Sequence, residues 1–131
     1  HVLTHHLSRA QWTFLDAGAT ALTQPGPTWL ASLLRTSVDI VLVTNATVPG
    51  LHHLESRAEF VRRDALGVVV GPRRWPRPVQ VVAASLPNSF RLVPFPLDPR
   101  LAVTGLTPDP LPAPLLTAAQ NVLALLRKEP T

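Results

Sequence analysis

Apolar residues follow two different patterns along the chain, continuous runs and helical stripes. The alternation of these patterns predicts the order of strands and helices. Residues 38–45 contain the run IVLV and residues 66–71 the run LGVVV. Strands that are apolar at consecutive positions are typical of a parallel sheet covered on both faces. Residues 49–63 instead place apolar side chains on one helical stripe: Leu51, Leu54, Ala58 and Val61. This segment therefore predicts an amphipathic helix against such a sheet.

The same patterns predict a regular alternation over the whole chain. Strands are predicted at 11–16, 38–45, 66–71 and 90–95. Helices are predicted at 2–9, 28–36, 49–63, 78–86 and 114–128, with a loop over most of 97–113. The prolines near 94–96 indicate that the last strand ends or frays there, because proline donates no hydrogen bond to a sheet. This order predicts an α/β fold of three layers, a mainly parallel sheet flanked by helices. The prediction is one domain over 1–131, or the C-terminal part of a larger domain.

Composition narrows the possible functions. Hydrophobic residues make up 46% of the 131 residues and charged ones 15%, which predicts a folded core. The absence of cysteine excludes disulfides, thiolate metal sites and a cysteine nucleophile. No apolar run reaches bilayer length, so we expect a cytoplasmic protein without a membrane span. The chain begins with histidine and contains no methionine, which predicts a fragment or a processed product.

Asp16 is the first candidate functional residue, because a carboxylate ends an apolar run and is followed directly by Ala17 and Gly18. A carboxylate at the end of a strand can hold a metal ion, or it can cap the following turn through the backbone. The residues alone leave both interpretations open.

Arginine dominates the basic residues, with 11 of 12 and a net charge of +4. Six arginines lie between 57 and 77. No series of aromatic residues and no motif for reading a nucleic-acid sequence accompanies them. A solvated helix face is therefore favoured over nucleic-acid binding. Trp75 lies among Arg73, Arg74 and Arg77 in a proline-rich loop. That composition is common in protein-binding surfaces, although a tryptophan folded back onto the sheet edge explains Trp75 equally well.

Other candidate chemistry is weaker. The pairs His5-His6 and His52-His53 are adjacent, so on a helix each pair points in different directions, and no H-E-x-x-H motif predicts a zinc site. No G-x-S-x-G elbow supports a hydrolase triad. We expect no metal site and no catalytic residue in this chain.

Four segments in order resemble the C-terminal half of the MinD/ParA-like P-loop ATPases, in particular their septum-site and pilus-assembly branch. These segments are WTFLDAG, LLRTSVDIVLVTNATVPGLHHL, LGVVVGPRR and LVPFPLDPRLA. The resemblance implies part of a P-loop NTPase-like, Rossmann-like fold. It also implies that Asp16, Gly18 and Asp98 are remnants of a nucleotide and Mg²⁺ site, and that a protein partner or a second copy binds the chain.

The departures from this family limit what the resemblance implies. No G-x-x-x-x-G-K-[ST] motif is present, and the one lysine is Lys128. Gly71-Pro72 stands where the family's base-contacting strand usually ends in asparagine. We therefore expect no ATP hydrolysis from this chain alone, and ATP with Mg²⁺ as cofactors only if a P-loop lies upstream.

Three functions follow from these observations. The first is a degenerate or fragmentary ATPase-related regulatory module that acts through protein contacts in cell division, partitioning or secretion. The second is the effector-binding domain of a LysR-type transcription regulator, which residues 38–70 and the segment FRLVPFPLD also resemble. The third is an α/β binding domain of another family. In the first, the loops at the carboxyl ends of the strands form the binding surface, with the loop of Arg73, Arg74, Trp75 and Arg77 as its strongest contact.

Overall fold

The computed structural model describes residues 14–16, 32, 39–61, 64–87 and 90–126. The chain divides into two compact units, His1–Leu33 and Leu34–Thr131. In the first unit, residues 14–16 lie outside any strand and are exposed, and Ser32 is helical. The strand predicted at 11–16 is therefore wrong for residues 14–16, because Phe14 and Leu15 lack the burial that the prediction assumed. The remainder of that strand lies outside the described residues, as do the helix at 2–9 and nearly all of the helix at 28–36.

The described residues of the second unit form a sheet of three parallel strands in the order β1-β2-β3. These are β1 (Val41–Asn45), β2 (Leu66–Gly71) and β3 (Arg91–Pro96). Nearly every residue of β2 is buried, as expected for a central strand that is apolar at consecutive positions. The parallel α/β arrangement predicted from the sequence is confirmed.

Within the described residues, four helices accompany these strands: α1 (Val48–Val61), α2 (Arg77–Ser85), α3 (Pro99–Thr104) and α4 (Ala113–Leu126). The predicted helices at 49–63, 78–86 and 114–128 match α1, α2 and α4 within the described residues. Within the described ranges, no helix is both long enough and apolar enough to cross a membrane.

The two faces of the sheet carry separate hydrophobic clusters. On one face, Val69 of β2 packs with Leu51 and Leu54 of α1 and with Val79 of α2. On the other, Leu66 and Val93 pack against α4 through Leu126. Since Leu66 and Val69 are an odd number of positions apart, their side chains leave β2 on opposite faces. The described part of this unit therefore has three layers.

β3 continues past Pro94 and ends at Pro96, so the prediction that the strand ends near these prolines is confirmed at the second of them. Pro94 pairs with Val69, and Pro96 pairs with Gly71. The Leu97 N–H donates to the Gly71 carbonyl over 2.8 Å. Because hydrogen-bonding positions alternate along a strand, the nitrogens of Pro94 and Pro96 point away from β2 and no ladder bond is lost.

The loop predicted over most of 97–113 is wrong for residues 99–104, because these residues form α3. Asp98 caps its first turn: Oδ1 accepts from the N–H of Arg100 over 2.8 Å and from that of Leu101 over 3.1 Å. Pro99 occupies the first helical position, where a missing N–H costs nothing. The helix ends before Gly105, whose φ of 70° favours glycine.

Candidate functional site

The three parallel strands end at one edge of the sheet, where β1 reaches Asn45, β2 reaches Gly71 and β3 reaches Pro96. Ligands and partners of open α/β sheets bind at this carboxyl edge. The segments that follow the strands are the start of α1, the loop at 72–76 and the start of α3. We call this region the carboxyl edge.

The turn from β1 into α1 is held by hydrogen bonds around Gly50. The Thr44 hydroxyl donates to the Gly50 carbonyl, and the Gly50 N–H donates to Thr47 Oγ1, both over 2.9 Å. A Cβ on Gly50 would lie within 2.8 Å of Thr47 Oγ1, which leaves space only for glycine. The turn is thereby held close to the end of the sheet.

Gly71 connects all three strands at this edge. The β1–α1 turn is bound to β2 because the Ala46 N–H donates to the Val70 carbonyl over 2.8 Å. A Cβ on Gly71 would overlap the Cβ of Ala46. Since the Gly71 carbonyl also accepts from Leu97, the backbone of the carboxyl edge is fixed around this residue.

The predicted arginine-rich loop divides into an exposed part and a half-buried part. Arg73, Arg74 and Arg77 are exposed. Trp75 is half-buried and packs against the cluster that contains Leu51 and Val69. Its carbonyl accepts from Gln80 Nε2 over 2.6 Å. The loop therefore presents its arginines to solvent, while the tryptophan contributes to packing.

Of the three residues that the resemblance assigns to a nucleotide site, the structure describes Asp16 and Asp98. Asp16 is exposed and belongs to the first unit, and Gly18 lies outside the described residues. Asp98 is half-buried in the second unit, where its carboxylate caps α3. The nucleotide and Mg²⁺ role of these residues stays a prediction.

The two histidines of α1, His52 and His53, are both exposed. Within the described ranges, no three His, Cys, Asp or Glu side chains are grouped so that they could hold a metal ion.

An open apolar groove of about 330 Å³ lies beside β3 at the carboxyl edge. Its walls come from β2, β3, α3 with the residues on either side of it, and α4. The residues that line it are Val70, Phe95, Pro96, Leu97, Asp98, Leu101, Ala102, Leu106, Leu111, Leu115 and Ala119. Asp98 is the one charged residue among them. Sequence reasoning missed this groove because its walls come from four separate segments.

Several large apolar side chains remain exposed around the groove. Leu97 is 55% exposed, Leu106 82% and Leu111 40%, and all three line it. Val103 and Leu116 are also exposed, although they are not lining residues. A signal for this surface was present in the sequence, since 97–113 carries a leucine every four or five residues in a segment that was predicted to be loop.

The chain matches no protein-family profile, no curated protein and no solved structure. The described residues of the second unit define an α/β fold with a parallel sheet and an apolar groove at its carboxyl edge.

Proposed function

We propose that this chain is a protein-binding regulatory module that acts through the carboxyl edge of its sheet. The groove and its exposed leucines are the observation that carries this proposal. Exposed apolar surface with a polar rim is characteristic of protein-binding and ligand-binding sites. The sequence resemblance supports an ATPase-related module of the MinD/ParA type, active in cell division, partitioning or secretion.

The arginines beside the groove support the same proposal. Gly71 pairs with Pro96 and bonds to Leu97, so the loop bearing Arg73 and Arg74 leaves the sheet next to residues that line the groove. Arginine is enriched at protein interfaces because its planar guanidinium binds carboxylates in pairs of hydrogen bonds.

Arg77 lies at a position where its charge does not stabilise its own helix. It is the first residue of α2, which has neither an acidic residue in its first turn nor a side-chain cap. A cation at this end opposes the helix dipole. Since helix stability gives no reason for an arginine here, a binding role is a natural explanation.

The nucleotide part of the proposal depends on a P-loop that this chain lacks. ATP and Mg²⁺ belong to the proposed function only if the protein contains such a loop upstream. ATP turnover above background by the purified 131 residues, abolished by Asp16→Ala, would contradict the expectation that this chain alone is inactive.

The test is the molar mass of the protein's native assembly, measured by light scattering after size exclusion. Replacing both Arg73 and Arg74 by glutamate reverses the charge of an exposed loop without removing a core side chain. We expect the assembly to dissociate about tenfold more readily. Arg57→Glu on α1 is the matched control, since it reverses an exposed arginine outside the carboxyl edge. An assembly that is unchanged by the double variant, or equally weakened by the control, contradicts the proposal.

A further inference from the structure

The groove has the dimensions and chemistry of a site for a few apolar side chains. Its volume of about 330 Å³ lies near the lower end of ligand sites in general. Its lining is apolar apart from Asp98, whose carboxylate already accepts two backbone hydrogen bonds. Phe95 of β3 and Leu115 of α4 are among the lining residues, while Leu97 and Leu106 remain largely exposed.

Positive charge borders this groove. Arg100 is exposed on α3, two residues after the cap residue Asp98, and the exposed Arg73 and Arg74 follow the strand end that bonds to Leu97. A partner that fills the groove would therefore lie near the chain segments that carry these three exposed arginines. Acidic side chains beside its apolar ones would complement that charge.

We propose that the groove binds one acidic amphipathic helix of a partner protein. Its apolar side chains would enter the groove, and its carboxylates would pair with Arg73, Arg74 and Arg100. This inference rests on the proposed protein-binding function and names the class of partner. Helices bind such grooves through apolar residues spaced at i, i+4 and i+7.

Three other occupants fit the observations less well. An extended strand added to β3 would meet Pro94 and Pro96, which offer no N–H on the side away from β2. A second copy bound symmetrically would bring the same positively charged rim to both sides of the interface. An anionic membrane surface is flat, whereas the groove is concave, and Asp109 lies exposed in the segment between α3 and α4.

The experiment uses the full chain and a synthetic probe. The probe is a fluorescein-labelled, stapled helical peptide with leucines at i, i+4 and i+7 and glutamates elsewhere. A control peptide has the same composition, with its leucines spread around the helix. Fluorescence anisotropy should give a Kd about tenfold lower for the probe than for the control peptide.

Paired variants distinguish binding of the probe in the groove from nonspecific binding of the probe elsewhere on the chain. Leu106→Gln removes an apolar lining residue, and Ala102→Phe fills the groove while keeping it apolar. We expect each to weaken probe binding about tenfold. Val103→Gln is the matched control, because Val103 is 87% exposed on the same helix but does not line the groove. It should leave the Kd unchanged.

Charge variants test the acidic character of the partner. Arg100→Gln should weaken probe binding about threefold, and the effect should shrink at high salt. Arg57→Gln, on α1, should have no effect on the Kd. Circular dichroism of every variant verifies that it is folded.

Several results would overturn the inference. These are equal or undetectable binding of the two peptides, stronger binding after Ala102→Phe, or an equal loss after Val103→Gln. Self-association that Ala102→Phe abolishes would assign the groove to a second copy, and peptide-competed binding to phosphatidylserine vesicles would assign it to a membrane.

If only the peptide results fail while the Arg73 and Arg74 variant still disrupts the native assembly, the proposed function remains and this inference is wrong. If the probe binds as expected but that assembly is unaffected, the proposed role of the arginine loop is wrong instead.

Discussion

Gly71 determines how closely the β1–α1 turn can approach β2. The residue is buried, and a Cβ there would overlap the Cβ of Ala46, whose N–H bonds to Val70. Backbone on both sides of this contact is held by hydrogen bonds, so neither side can move away cheaply.

We therefore expect Gly71→Ala to lower the free energy of unfolding by about 1–3 kcal/mol. Urea denaturation measures this change. The double variant that adds Ala46→Gly removes the opposing Cβ and should recover part of the loss. If the double variant is less stable than the sum of the two single changes predicts, the overlap between these two residues is not the cause.

Asp98 is a second residue whose role can be tested separately. Its Oδ1 accepts the N–H groups of Arg100 and Leu101 at the start of α3. Asp98→Ala should cost about 1 kcal/mol of unfolding free energy, whereas Asp98→Asn should cost much less because asparagine caps helices well. Asp109→Ala, in an exposed position, serves as the control in the same urea titration.

The competing role for Asp98 is the Mg²⁺ site implied by the family resemblance. Under that role, Mg²⁺ would stabilise the wild-type protein, and Asp98→Asn would remove the effect. An equal loss for the alanine and asparagine variants, or a Mg²⁺ effect that requires Asp98, would contradict capping as its main function.

At the scale of elements, α2 contains a conflict between stability and the proposed binding role. Its first residue, Arg77, opposes the helix dipole. Arg77→Glu should raise the free energy of unfolding by about 0.3–1 kcal/mol while weakening the native assembly. Thermal denaturation and light scattering measure the two effects, and Arg77→Gln should give a smaller gain in stability. A variant that is less stable would show that Arg77 supports the fold itself.

The elements differ in how far the sequence could predict them. The bounds of β2 were predicted correctly because a strand buried on both faces has a continuous apolar run. For α3, the cap Asp98, the following Pro99 and the terminating Gly105 were all present, but the helix has only 6 residues and no buried side chain. Without a buried stripe it has no hydrophobic period, so a prediction based on periodicity misses it.

The candidate site was harder to predict than the fold. The parallel topology predicted from the sequence correctly put the strand ends and the arginine-rich loop at one edge of the sheet. The direction of Trp75 could not be chosen from sequence, because both packing and exposure suit a tryptophan beside arginines. The groove was missed because it requires β3, α3 and α4 to meet in space, and no single segment carries that information.

For the whole molecule, the proposed function requires that the carboxyl edge bind another protein. The groove, the exposed leucines and the loop that bears Arg73 and Arg74 lie there, whereas His52 lies on α1, which contributes no lining residue. The absence of cysteine allows a single thiol to be placed at any chosen residue.

The most direct measurement is the rate of thiol alkylation in the native assembly and in the separated chain. Leu106→Cys places the thiol at the groove, and His52→Cys places a matched exposed thiol on α1. Burial in an interface should slow alkylation at position 106 about tenfold or more on assembly and leave position 52 unchanged. Equal alkylation rates at position 106 in both states, or protection of position 52 instead, would contradict the account.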